Sequence, residues 1–69
     1  MDLSRNRIMD AGAFKIAKML LFNRSLRTLK LNRNEIGEPG GNQLAKAMKT
    51  NRTLEVLDLA YNFLQLPFL

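Results

Sequence analysis

"LRTLKLNRNEIGEPGG", residues 26–41, is the stretch that decides the fold. Around Leu29 and Leu31, polar and apolar residues alternate ("TLKLN"), the period of a half-buried strand. Asn34 closes that run, and Gly37, Gly40 and Gly41 follow it. From Gly41 onward the spacing changes. Gly41, Leu44, Ala45 and Met48 recur at i, i+3, i+4 and i+7, one apolar stripe of an amphipathic helix. The stretch therefore predicts a strand, a turn and the start of a helix.

The same order occurs elsewhere in the chain. Shifted by 28 residues, the sequence lies on itself. Leu26 falls on Leu54, Leu29 on Met1 and Leu57, Leu31 on Leu3 and Leu59, and Asn34 on Asn6 and Asn62. Ile36 matches Ile8 and Leu64, while Gly40, Leu44, Ala45, Met48 and Asn51 match Gly12, Ile16, Ala17, Leu20 and Asn23. The first copy repeats the helical stripe at Ala13, Ile16, Ala17 and Leu20. Pro39 is expected at the first helical position. Asp10, in register with Glu38, is expected to cap its own helix, and Asn23 and Asn51 to end the helices with left-handed caps. A unit of this kind cannot bury its apolar side alone, but stacked units share a core.

This combination resembles the ribonuclease-inhibitor subtype of leucine-rich repeat. The residues that carry the resemblance are L-x-x-L-x-L-x-x-N-x-I-G-x-x-G followed by L-A-x-A-M-x-x-N-x-T, and they cover residues 1 to about 64. The resemblance implies an α/β solenoid, a short horseshoe segment with parallel strands on the concave side and helices on the convex side. It also implies a protein-interaction scaffold. Ribonuclease inhibitor, the Ran GTPase-activating protein and the sensor domains of innate receptors are similar, so GTPase regulation enters by that analogy only. The expected organisation is one segment of about two and a half units, at 1–25, 26–53 and an incomplete 54–69.

Departures from the pattern carry expectations of their own. Met1 takes the register of a core leucine, and "NFLQLPFL" lacks the Gly-x-x-Gly that follows Ile36. These breaks predict a fragment of a longer array, or self-association through open ends. In the first helix Phe14, Met19, Leu21 and Phe22 stand in register with Asn42, Ala47, Lys49 and Thr50. Either they pack against a further helix, or they fold over the open N-terminal end or widen the local core.

The chain has 69 residues, a net charge of +5, no Cys and no His. Neither a disulfide nor a His or Cys metal site can stabilise it, and no nucleophile–base constellation is visible. No apolar run reaches the roughly 20 residues that cross a bilayer. The charged start "MDLSRNRIMD" does not read as a signal peptide. A cytoplasmic chain is expected, with the nucleus as the alternative. The sequons "NRS" at 23–25 and "NRT" at 51–53 are read as structural turns rather than sugar acceptors.

Strand register disperses most of the charge. Equivalent residues on neighbouring parallel strands lie ~4.8 Å apart, so Asp2, Lys30 and Asp58 form a row, with Arg7 beside Glu35 and Arg27 beside Glu55. As a catalytic pair, Asp2 and Asp58 would sit ~9.6 Å apart, with Lys30 between them holding both ionised. A structural ladder is the better reading, and no enzyme activity, cofactor or metal is expected. Arg5 with Arg33, Lys18 with Lys46, and Arg24 with Arg52 stay unpaired but form no single stripe interleaved with aromatics. A dedicated nucleic-acid role is therefore not expected, beyond weak non-specific attraction.

The expected binding surface is the concave sheet face: Asp2, Ser4, Thr28, Lys30, Asn32, Val56, Asp58 and Ala60, with Arg5, Arg33 and Tyr61 at the rim. Tyr61 stacked beside Arg33 is the expected hot spot, since Tyr and Arg are enriched at such sites. The partner is expected to be a protein. Three strands offer a small area against the ~800 Å² per partner of a standard interface.

Overall fold

A computed structural model describes residues 1–64. The last part of the third sequence unit, residues 65–69, lies outside the described residues. The elements run α1 (Met9–Phe22), β1 (Thr28–Lys30), α2 (Glu38–Thr50) and β2 (Val56–Asp58). β1 and β2 pair in parallel, with Thr28 opposite Val56, Leu29 opposite Leu57 and Lys30 opposite Asp58. α2 is the crossover between them, since parallel neighbours need a long connection. On the other edge of β1 the start of the chain adds a single parallel bridge, Asp2 to Lys30. The Lys30 amide donates to the Met1 carbonyl and the Leu3 amide to the Lys30 carbonyl, both at 2.9 Å.

The strands place Leu29 and Leu31 inward, and both are fully buried. Ala13, Ala17 and Leu20 from α1, Leu44 and Ala47 from α2, and Ile36 and Leu54 from the connections complete the core. The helical stripes are slightly rotated from expectation. Gly40 and Ala47 are buried, while Ile16, Ala45 and Met48 are only half-buried. Small residues at the α1–α2 seam allow the helices to approach closely. A Cβ on Gly40 would lie 2.7 Å from Asp10 Oδ1 and 2.9 Å from Ala13 Cβ.

Three local expectations are corrected. α2 begins at Glu38 with Gly37 as its N-cap, which puts Pro39 at the second position. Asp10 does not cap its own helix: α1 starts at Met9, so Asp10 already lies inside the first turn. Its Oδ1 instead accepts from the Gly37 and Gly40 amides, at 2.7 and 3.1 Å, and so caps α2 from the neighbouring unit. Asn23 and Asn51 are extended rather than left-handed (φ −73° and −74°). In that conformation each amide oxygen accepts from the two backbone N–H groups two and three residues on. Asn51 is buried, and its amide also donates to the Leu20 and Asn23 carbonyls.

A second asparagine series joins the units where the strands end. Asn62 Oδ1 accepts from the Asn34 and Ile36 amides at 2.9 and 3.0 Å. Asn34 Oδ1 accepts from the Asn6 amide at 2.7 Å and the Ile8 amide at 3.4 Å. The Asn34 side chain donates back to the Leu3 and Asn32 carbonyls. These groups lose their sheet partners as the strands turn away, and the amides replace them.

Candidate functional site

The strands alternate, so the residues between the buried leucines face outward. The outward row across the sheet is Asp2, Lys30 and Asp58, as the register predicts. Each carboxylate also organises the turn after its strand. Asp2 Oδ1 accepts from the Ser4 amide at 3.0 Å and from the Ser4 hydroxyl. Asp58 Oδ1 accepts from the Ala60 amide at 3.0 Å, and its Oδ2 from the Asn32 side chain at 2.9 Å. Ser4, Asn32 and Ala60 thus stand beside the row because the turns hold them there.

These hydrogen bonds fix the charge. The Ser4 hydroxyl and amide hold the Asp2 carboxyl below the usual carboxylate range, with Lys30 a smaller influence. The Ala60 amide and the Asn32 side chain do the same for Asp58, again ahead of Lys30. Both aspartates stay ionised, as expected, but turn geometry is the main cause rather than the neighbouring lysine. Lys30 is exposed, and among the described residues it makes no ion pair.

One position beyond Ser4, Asn32 and Ala60, the backbone enters the left-handed region at Arg5, Arg33 and Tyr61, with φ of 61°, 57° and 59°. That conformation disfavours side chains with a Cβ. No glycine marks these positions, so composition gave no warning. The traceable signal is their shared place, one residue before each ladder asparagine. Here the Arg33 guanidinium lies 4.4 Å from the centre of the Tyr61 ring. The predicted stack exists, and Tyr61 remains 74% exposed. Arg7 and Glu35 also have positive φ, and Arg7 Nε donates to Glu35 at 2.9 Å. Arg27 pairs with Glu55 at 2.8 Å at the other end of the strands.

Thr28 pairs with Val56, and Asp2, Lys30 and Asp58 share one row. Asp2, Arg5, Lys30, Arg33, Val56, Ala60 and Tyr61 are exposed, and Ser4, Thr28, Asn32 and Asp58 are half-buried. The face is a polar platform with a small aromatic rim. Among the described residues, no group of three or more His, Cys, Asp or Glu side chains is placed to hold a metal ion. Among the described residues, no helix is long and apolar enough to cross a membrane.

A family profile described as Leucine Rich repeat matches residues 1–17, 22–45 and 50–65. Searches among curated proteins and among solved structures gave no match. Leucine-rich repeats generally mediate protein–protein interaction. The matched stretches span well over half of the chain and contain its parallel strands and most of both helices: the protein belongs to the leucine-rich repeat family.

Proposed function

We propose that this chain is a protein-interaction scaffold of the ribonuclease-inhibitor subtype, and that a partner protein docks on the open face of its sheet. On this reading the chain is a short horseshoe of about two and a half units with that face on its concave side. The observation that carries the proposal is the outward platform itself. Lys30, which makes no ion pair among the described residues, sits between two ionised aspartates, beside an exposed Arg33–Tyr61 stack. No catalytic role is proposed. An acid–base pair needs one carboxyl that holds its proton, and both aspartates are shifted the other way. Cytoplasm or nucleus is the proposed compartment, supported by the absence of Cys and by the buried Asn51 amide at one sequon.

The test is affinity capture with the 69-residue chain and three variants. A specific partner should be captured by the unchanged chain and by Lys15→Glu, and lost with Lys30→Glu and with Tyr61→Ala. Capture that survives both sheet-face changes would overturn the proposal.

A second reading is supported by the ends of the stack. Leu29 and Leu31 are fully buried, whereas Leu57 and Leu59 are half-buried and Met1 is 58% exposed. A flanking unit, from the same protein or another copy, would cover these inward positions. On that reading the chain is a structural segment of a longer array. Sedimentation over a wide concentration range tests it: association with rising concentration supports exposed stacking ends, and a monomer throughout argues against them.

A further inference from the structure

The helix side of the molecule carries a feature that the sheet-face proposal does not use. α1 and α2 pack along a seam with an open hollow of about 110 Å³, lined by Phe14, Ala17, Lys18, Leu21, Lys46 and Ala47 together with Gln43. Its two walls differ. The α1 wall carries Phe14, Ala17 and Leu21 beside Lys18, and the α2 wall Gln43, Lys46 and Ala47, so the large apolar side chains lie on one side only. Met19 and Leu21 are half-buried against the core, which accounts for part of the apolar excess of α1. Phe14 remains 44% exposed at the mouth of the hollow.

The charge around the hollow is of one sign. Residues 11–34 and 39–54 contain no Asp or Glu, so beyond their first turns both helices carry only lysines. Lys18 and Lys46 flank the hollow from equivalent places in the two units. Among the described residues neither meets a carboxylate. The hollow lies between the helices, away from the exposed inward positions at the ends of the stack, so a further stacked unit would not account for it.

Size and charge together select the occupant. Small-molecule and cofactor pockets run ~300–1,000 Å³, so this hollow admits one side chain rather than a whole ligand. We propose that it is a second docking site, which receives an apolar side chain from an acidic peptide segment of a partner protein. The apolar anchor lies against Phe14 and Leu21, and carboxylates on either side of it meet Lys18 and Lys46. A recessed, one-sided hollow suits a peptide anchor better than a membrane surface, which needs a broad apolar face. The proposal does not depend on the sheet-face reading.

The experiment is selection of short random displayed peptides on the 69-residue chain, followed by fluorescence anisotropy with the enriched peptide. The expected peptides are rich in Asp and Glu around one large apolar residue. Their affinity should fall about tenfold in Lys18→Glu/Lys46→Glu and less than about twofold in Lys15→Glu/Lys49→Glu, which makes the same change of charge on α1 and α2 outside the hollow. Phe14→Ala, a change at an exposed position, should also weaken binding. The proposal is overturned if no acidic peptide is enriched, or if Lys15→Glu/Lys49→Glu weakens binding as much as Lys18→Glu/Lys46→Glu. Phosphatidylserine vesicles are the comparison probe. Vesicle binding without acidic-peptide binding overturns the proposal too.

Discussion

Asn34 shows how much one side chain holds. It is fully buried, accepts from two amides of the preceding unit and donates to two carbonyls. Removing it leaves buried backbone groups without partners, each costing about 1–3 kcal/mol. Asn34→Ala should therefore destabilise the chain by about 2–4 kcal/mol in urea unfolding. Asn6→Ala should cost under about 1 kcal/mol, because Asn6 is exposed and its side chain donates only to Leu3. Equal effects would mean that the ladder is not what joins the units. Gly40 gives a second residue-scale prediction. Helix propensity alone favours Ala there by about 1 kcal/mol, yet the added Cβ would press on Asp10 and Ala13. Gly40→Ala should lose about 1–3 kcal/mol, and a gain in stability would show that the helices can separate at no cost. The recurrence of these asparagines and glycines was legible in the sequence. Which groups they serve was not, because a period gives position but not the direction in which a side chain reaches.

At the scale of elements, the same gap between period and reach explains Asp10. Its spacing matched a cap for its own helix, but α1 already begins at Met9, and the carboxylate serves α2. Asp10→Ala should lower stability by about 1–2 kcal/mol, read from circular dichroism on heating. Asp10→Asn should retain most of the cap, since Asn is as good an N-cap as Asp. Strand register, by contrast, was fully legible: an alternating pattern with a fixed period leaves only one pairing that buries the leucines. The left-handed turns at Arg5, Arg33 and Tyr61 were not, since nothing local announces them. The turns held by Asp2 and Asp58 have a pH signature. Both carboxyls are lowered in the folded chain, so their contribution is complete above the unfolded value of about 3.9. It is lost as pH falls through the lower folded values. The unfolding temperature should fall on acidification in that window, and Asp2→Asn/Asp58→Asn should flatten the slope. An unchanged slope would assign the acid sensitivity to other carboxylates.

For the whole molecule, what matters is that each unit's backbone is completed by side chains of its neighbour. Asn34 and Asn62 reach back across a unit, Asp10 reaches forward, and Asn51 ties the ends of both helices. The ion pairs Arg7–Glu35 and Arg27–Glu55 follow the same 28-residue step but are exposed, and contribute little. The molecule should accordingly unfold as one cooperative unit. Native-state amide hydrogen exchange on the 69-residue chain tests this most directly. The Asn34, Ile36, Gly37 and Gly40 amides, all bonded to side chains of another unit, should share one slow, common rate set by global unfolding. If these four exchange at separate rates, or as fast as exposed turns, the units are not interlocked and the account of the fold fails.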